Sequence, residues 1–430
     1  MTVRFIHTGD LHLDSPFAGL VTAAPDHVAT ALREATIQAW NAIVDLALEE
    51  RVDFVVVAGD VFDRESRTLR GQVRFRDGLA RLSAAGIPSF VVAGNHDPQS
   101  SWERAVQVAW PPLAHFFGSR EVTAIAVRGG DDEEIARVYG ISFGQADVRE
   151  NLARRFRREP GVPVAVGLLH ANVGQDTGHD PYAPCTLEDL RAADMDYWAL
   201  GHVHRRGVLS AANPAAVYCG NPQGRDPNEG DPRGCYLVTV HDRGRITPEF
   251  MPVDVVRWQH VTVDVAGLEE VEPLIDRVAE AVDAARTAAA RPVIARVELT
   301  GRGPLHAVLV RSGTVDDVRG EAQARLGEGS PWVWIESLRD RTRPDIDVVE
   351  RAAAPDFLGE VLREFGRVRE AVSAPDLTGP RAALEAVLDE LYEHGRGRRF
   401  LRDARPDGDR LLERLDEAER LVLDRLGEAG

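Results

Sequence analysis

The chain has 430 residues, 44% of them apolar and 28% charged, with a formal net charge of −18. That length predicts two domains, or one large domain with appendages, in an ordinary globular protein. No run of about 18 apolar residues occurs, which excludes a membrane-spanning helix, and the opening MTVRFIHTGD reads as a strand rather than a secretion signal, so a cytoplasmic location is expected.

In chain order, VRFIHT, DFVVVA, SFVVA, VAVGLL and YWAL read as buried strands. A long helical pattern ending in AIVDLALEE separates the first two. Another, near FRDGLARLSAAG, separates the second and third, with Gly86 as helix stop and Pro88 as breaker. This alternation predicts a mostly parallel sheet with helices on its faces. AVYCG, GCYLVTV and ITPEFMPV then read as closely spaced strands of an antiparallel second sheet. From about residue 258 the order WQHVTVDV, LEEVEPLIDRVAEAVDAAR, PVIARVELTG, VDDVRGEAQARLG, WVWIESL is β-α-β-α-β, a compact second domain left through DRTRPDID. From 355 the pattern is helical, and Leu411, Leu412, Leu415, Val422 and Leu426 make an apolar stripe. The stripe packs on its own domain or docks on a partner.

Cys185, Cys219 and Cys235 show no CxxC spacing, which argues against a disulfide scaffold or zinc ribbon and fits a reducing compartment. All 51 basic residues are arginine. Without lysine there is no P-loop, so an ATP-driven step would need a partner. The acidity runs against nucleic-acid binding, which normally needs positive charge, although bound divalent cations would offset it locally.

Five segments share one layout, in which a buried strand ends and a metal-ligand type of residue follows. GDLH brings Asp10 and His12, GDVFD brings Asp60, GNHD brings Asn95 and His96, LLHAN brings His170, and GHVH brings His202 and His204. The carboxyl ends of strands in an open α/β sheet line one crevice, so these distant residues can converge. Gly9, Gly59, Gly94 and Gly201 precede ligands and are expected to permit the tight turns there. Oxygen and imidazole donors suit manganese, iron or zinc better than calcium, and the lack of thiolate disfavours structural zinc. A carboxylate can bridge two cations, and Asp60 is the natural bridge. The Asp-x-His and His-x-His pairs each place both side chains on one face of an extended segment.

The set GDLH, GDVFD, GNHD, a His after a strand, and GHVH resembles the calcineurin-like metallophosphoesterase superfamily. FIHTGDLHLDSPF, VVVAGDVFDR, VVAGNHD, MDYWALGHVHR and YCGNPQGR, over residues 1–255, are closer still to SbcD-type DNA-repair exonucleases. The resemblance implies an α/β fold: a four-layer α/β/β/α metallophosphoesterase sandwich (1–255), a smaller α/β capping domain (256–345) and a helical C-terminal region (346–430). It implies that Asp10, His12 and His204 hold a first metal, that Asn95, His170 and His202 hold a second, that Asp60 bridges them, and that His96 sits beside the scissile phosphate without binding metal. The metals would be two divalent ions, usually Mn2+. The activity implied is two-metal hydrolysis of DNA phosphodiesters, exonuclease or endonuclease, by a homodimer bound to an SMC-like coiled-coil ATPase. Some relatives carry His where Asp63 stands here, which leaves the role of that side chain open. Rival readings are a phosphatase or cyclic-nucleotide phosphodiesterase of the same superfamily, and a non-enzymatic scaffold with a vestigial site.

Other signals have blander readings. Gly140-Ile141-Ser142-Phe143-Gly144 matches a serine-hydrolase elbow but reads as a strand running into a loop. Arg154, Arg155, Arg157 and Arg158 read as a solvated face before a DNA contact. Arg205 and Arg225 adjoin the metal motifs and are candidates for substrate phosphate, as is Arg206. Trp332 and Trp334 share one strand face and suit packing better than base stacking. His7 and His115 read as packed residues, and nothing is assigned to His179.

Overall fold

A computed structural model describes residues 2–15, 17, 20, 24–63, 68–104, 108–174, 180–212, 214–327, 329–373, 380–393 and 408–426. His179 lies outside them. The first sheet contains β1 (Val3–Thr8), β2 (Phe54–Ala58), β3 (Ser89–Val92), β4 (Ala114–Phe116), β11 (Gly234–Val240) and β12 (Ile246–Pro252), in the order β12-β11-β1-β2-β3-β4. The second contains β5 (Thr123–Arg128), β6 (Glu134–Gly140), β7 (Ala165–His170), β8 (Tyr197–Gly201), β9 (Gly207–Ser210) and β10 (Ala215–Tyr218), in the order β5-β6-β7-β8-β10-β9.

The sandwich architecture expected of the sequence is present, with one correction to strand allocation. The apolar runs of β7 and β8 do not continue the sheet of β1–β3; they form the centre of a second, largely parallel sheet. The strands expected as a separate antiparallel sheet divide instead. β10 pairs parallel with β8, whereas β11 and β12 extend the first sheet antiparallel to β1. Periodicity reports that a strand is buried on both faces but not which neighbour it pairs with.

The layers follow from which face each side chain takes. Phe5, Val56, Ala58, Phe90, Val138, Leu168, Ala199 and Val217 meet between the two sheets. Helices α1 (Asp26–Glu49) and α2 (Leu69–Ala84) cover the outer face of the first sheet through Trp40, Ile43, Val44, Phe75, Leu79 and Leu82. Thr68 starts α2 by accepting from the Gly71 amide at 2.9 Å. Past its end, Gly86 takes φ of 78°, the left-handed stop read from the sequence. Leu152, Ala153 and Leu190 cover the second sheet from outside.

A further three-stranded sheet has the order β13-β14-β15, from Arg257–Asp264, Val293–Thr300 and Val333–Asp340. Helices Val271–Ala289 and Thr314–Leu326 alternate with these strands, matching the expected β-α-β-α-β order. The chain divides into two compact units, one of residues 1–259, 285–295 and 328–336, the other of 260–284, 296–327 and 337–430. Trp334 is buried with Phe17, Val28, Leu32 and Trp258 in the first unit, a packing role. In the second unit, Leu423 of helix Gly408–Leu426 packs on Leu358 and Leu362, with Val422 and Leu426 alongside. His306 ties the same helix down, its Nε2 lying 2.7 Å from Asp424. Val422 and Leu426 of the C-terminal stripe therefore pack within their own unit, and Leu421 beside them stays 56% exposed. Among the described residues no helix is long and apolar enough to cross a membrane.

Candidate metal centre

β1, β2 and β3 of one sheet and β7 and β8 of the other end on the same pocket. Asp10, Asp60, Asn95, His170 and His202 stand at or just past those ends. Asp10, Asp60, His12, His170 and His202 are buried, whereas the His96 side chain is 45% exposed. The pocket, about 310 Å³, is lined by Asp60, Asn95, His96, Asp180, Tyr182, His202 and His204.

The chain bends sharply to present these side chains. Asp10, His12, Asp60 and His202 take φ of 48°, 44°, 49° and 99°, left-handed values that non-glycine residues rarely adopt. Such strain persists only where surrounding bonds over-determine it, and it clusters at functional sites. Here the bonds come from the site's own side chains: Asp10 accepts the His202 amide at 3.1 Å, and Asp60 accepts the His96 amide at 2.9 Å. The role expected of the four preceding glycines is therefore corrected. Of them only Gly59 is left-handed, at 93°. A Cβ on Gly94 would run into Asp60, and one on Gly201 into the Ala58 carbonyl. Close approach, not turn geometry, requires glycine at those two positions.

All seven expected ligands converge. Asp10, His12 and His204 place donor atoms within 4.8 Å of one another, as do Asp10, Asp60 and His170. His170 Nε2 lies 2.9 Å from Asn95 Oδ1 and 3.4 Å from Asp60 Oδ2. The His170 and His202 ring centres are 5.2 Å apart.

Each histidine has its other nitrogen occupied from behind. His12 Nδ1 donates to Asp63 at 2.8 Å, and His204 Nδ1 to Glu229 at 2.7 Å. His170 Nδ1 donates to the Ala58 carbonyl at 2.8 Å, and His202 Nε2 to the Asp180 carbonyl at 2.8 Å. Such backing sets tautomer and ring orientation, as second partners do in metal sites. It leaves His12 Nε2 and His204 Nε2 facing each other at 3.1 Å. With both Nδ1 atoms acting as donors, each imidazole in its neutral form keeps its lone pair at Nε2, and a divalent cation held by the two would satisfy both. The residues present thus fit a divalent metal pair.

The electrostatics reflect burial and crowding. Burial, opposed by His170 and His204, raises the Asp10 carboxyl to about 6. Burial pushes Asp60 the same way, but His170 outweighs it and holds that carboxyl far below the usual range. His170 is lowered by burial yet carried to about 9 by Asp60 and then Asp10. His12 falls to about 4 through burial, then Arg225. His96 is raised, first by its bond to Asp63, whose Oδ1 lies 3.0 Å from His96 Nδ1.

Three supports carry little or no sequence signal. Asp97 accepts the Val61 and Gly94 amides at 2.9 Å each, joining two motif loops, and its adjacency to His96 in GNHD is the only hint. Glu229 lies outside all five motifs, 25 positions beyond the His204 it supports. Tyr182 packs edge-on to His202 at 5.6 Å with Arg149 over its ring at 5.2 Å. Arg225, expected to meet substrate, spends Nη1 on Asp63 and Ser15 at 2.7 Å each. Arg206 lies over Phe250 and donates to the Pro232 carbonyl, and Arg205 is exposed just past His204.

The blander readings hold elsewhere. Ser142 is buried, donating to the Phe117 carbonyl at 2.6 Å and accepting the Ala93 amide at 2.9 Å, and no helix follows it. Arg154 binds Asp189, Arg155 binds Glu150, Arg158 binds Asp196, and Arg157 binds backbone carbonyls. His7 pairs with the Tyr197 hydroxyl at 2.9 Å, and His115 stacks on Phe90.

The family described as calcineurin-like phosphoesterase matches residues 3–206, and the one described as metallophosphoesterase YhaO, middle domain, matches 258–343. The metallophosphoesterase YhaO of Bacillus subtilis (strain 168) is 36% identical over 368 residues, 85% of this chain and 87% of that protein. The DNA double-strand break repair protein Mre11 of Haloferax volcanii is 28% identical over 64% of this chain, which spans 58% of that protein's length. A subunit of the nuclease SbcCD of Bacillus subtilis (strain 168) is 26% identical over 51% of this chain and 61% of its own length.

Proposed function

Because the chain belongs to the calcineurin-like metallophosphoesterase family, we propose that it is a DNA phosphodiesterase of the repair-nuclease kind, working with two divalent cations, Mn2+ first among them. The observation that carries this reading is the facing pair of imidazole Nε2 atoms, 3.1 Å apart, beside buried Asp10 and Asp60. Likeness to a double-strand break repair protein and to part of a nuclease supports DNA as substrate.

Asp10, His12 and His204 would hold one cation, Asn95, His170 and His202 the other, with Asp60 between them. Such a pair, when bound, supplies Lewis acidity toward a phosphate oxygen and lowers the pKa of water. The chain's own contribution is positioning and proton transfer. His96 stands at the open side of the pocket with Nδ1 on Asp63, so its Nε2 is left to face substrate. The bond to Asp63 raises the His96 pKa, which favours the protonated imidazole that general acid catalysis at a leaving oxygen would use. Buried ligands hold their geometry before substrate arrives, so little reorganisation is needed.

As to partners, we propose a homodimer that works with an SMC-like coiled-coil ATPase through residues 346–430. The absence of lysine, and with it of any P-loop, supports such a division of labour. The test is a manganese assay offering linear duplex DNA, bis-p-nitrophenyl phosphate, p-nitrophenyl phosphate and a phosphopeptide. DNA and diester cleavage is the expected result. Monoester cleavage alone would assign a phosphatase, and no cleavage in metal-loaded protein would leave a scaffold.

A further inference from the structure

We propose that the turn Arg225–Glu229, which lies outside all five strand-end motifs, is a positioning loop that sets the first metal site and His96 from behind. The inference rests on the roles proposed above for His12, His204 and His96.

Two side chains of this turn reach two different parts of the centre. Glu229 Oε1 accepts a hydrogen bond from His204 Nδ1 at 2.7 Å. Arg225 Nη1 binds Asp63 Oδ2 and Ser15 Oγ, each at 2.7 Å. Ser15 also donates to the same Asp63 oxygen. The other oxygen of Asp63 accepts from His12 Nδ1 at 2.8 Å and lies 3.0 Å from His96 Nδ1. One carboxylate thus serves a metal ligand and the substrate-facing histidine together, and Arg225 holds it still.

The turn is closed on itself. Glu229 Oε2 accepts the Arg225 amide at 2.7 Å and the Asp226 amide at 3.2 Å. Gly224 packs so tightly that a Cβ would stand 2.8 Å from the Glu229 carbonyl oxygen. Buried Arg233 binds that carbonyl at 3.3 Å and also donates to the His204 carbonyl. A turn built this way delivers two charge-assisted hydrogen bonds in register. Their effect is to turn two Nε2 lone pairs toward each other, an arrangement that repels without a cation. Arg225 therefore acts on Asp63, not on substrate.

The experiment uses the full chain with four variants: Glu229→Gln, Glu229→Ala, Arg225→Lys and Arg225→Ala. Mn2+ is titrated calorimetrically into metal-free protein. Then kcat and KM are measured on bis-p-nitrophenyl phosphate, whose leaving group needs no proton, and on dithymidine phosphodiester, whose leaving group does. Glu229→Ala should weaken one of two Mn2+ binding events by about 10–100-fold and leave the other in place. Glu229→Gln, isosteric with the native residue, should weaken the same event and decides the point if Glu229→Ala does not fold. Arg225→Ala should lower kcat on the dinucleotide at least about tenfold more than on the nitrophenyl ester, with KM little changed, because it acts through Asp63 and His96. Arg225→Lys should recover part of that loss. A raised KM with unchanged kcat on both esters would overturn the assignment and make Arg225 a substrate contact. Unchanged Mn2+ affinity in both Glu229 variants would overturn the role of Glu229. If the native chain cleaves neither ester, the functional reading fails, and the Mn2+ titrations of the two Glu229 variants still decide whether the loop sets the first metal site.

Discussion

The two halves of the candidate metal centre are supported by different chemistry. His12 and His204 lean on carboxylates, Asp63 and Glu229, whereas His170 and His202 lean on the backbone carbonyls of Ala58 and Asp180. A backbone carbonyl is placed by the strand that carries it and brings no net charge. A carboxylate brings a full charge, makes the imidazole more basic, and depends on further side chains to stay in place. The first half is therefore tunable by substitution at a distance, and the second is built into the sheets. His96 belongs to the first half, because it shares Asp63 with His12.

The comparison breaks most sharply at Asp60, the residue proposed to serve both halves. Asp60→Ala should lower kcat/KM by more than about 100-fold, beyond the range for losing an outer partner, and reduce bound Mn2+ below two equivalents by elemental analysis. Retention of two equivalents would remove Asp60 from the bridge.

Next comes His96→Ala. It should lower kcat on linear duplex DNA by about 100-fold, the low end for general acid catalysis, while both Mn2+ equivalents remain. Loss of an equivalent would make His96 a ligand and erase the distinction drawn between it and His12.

A smaller effect tests the strand beneath both halves. His7 on β1 is fully buried, and burial lowers its pKa to about 3 against an ordinary 6.5. Below 6.5 the unfolded chain takes up a proton that the native chain refuses. Stability should then fall by about 1.4 kcal/mol per pH unit between 6.5 and 3, and show no contribution from His7 above 6.5. Denaturant melts of native protein and His7→Gln at pH 7 and pH 5 check this. Equal slopes would show that His7 does not titrate as stated.

The smallest effect is expected far from either half. Arg154→Ala breaks an exposed ion pair with Asp189 and should change DNA affinity less than twofold in a filter-binding assay at fixed salt. A larger loss would restore the basic cluster as a DNA contact.

How far the sequence could be read followed the range of the interaction. Strand ends carrying Asp10, Asp60, Asn95, His170 and His202 were legible because each combines a buried run with a polar residue just past it. The same runs misled on pairing, since β2 and β7 look alike locally yet lie in different sheets. Asp97 stood in plain view inside GNHD, but its function as a staple needs Val61, 36 positions away. Arg225 was expected at substrate because it neighbours the motifs; its true neighbour, Asp63, is 162 positions back.

Residue type, spacing and burial pattern thus determined by themselves an α/β alternation, seven ligand-type side chains at strand ends and the absence of any phosphate-binding lysine loop, while the resemblance carried by those motifs supplied the sandwich. Only the tertiary structure decided which sheet each strand joined, which nitrogen of each histidine is held by a hydrogen bond, and that Glu229 and Arg225 stand behind His204 and Asp63. The reason is physical. Hydrophobic periodicity is local and repeats along the chain, whereas a hydrogen bond between side chains as far as 210 positions apart, such as Arg225 to Ser15, leaves no pattern until the backbone brings them within 3 Å.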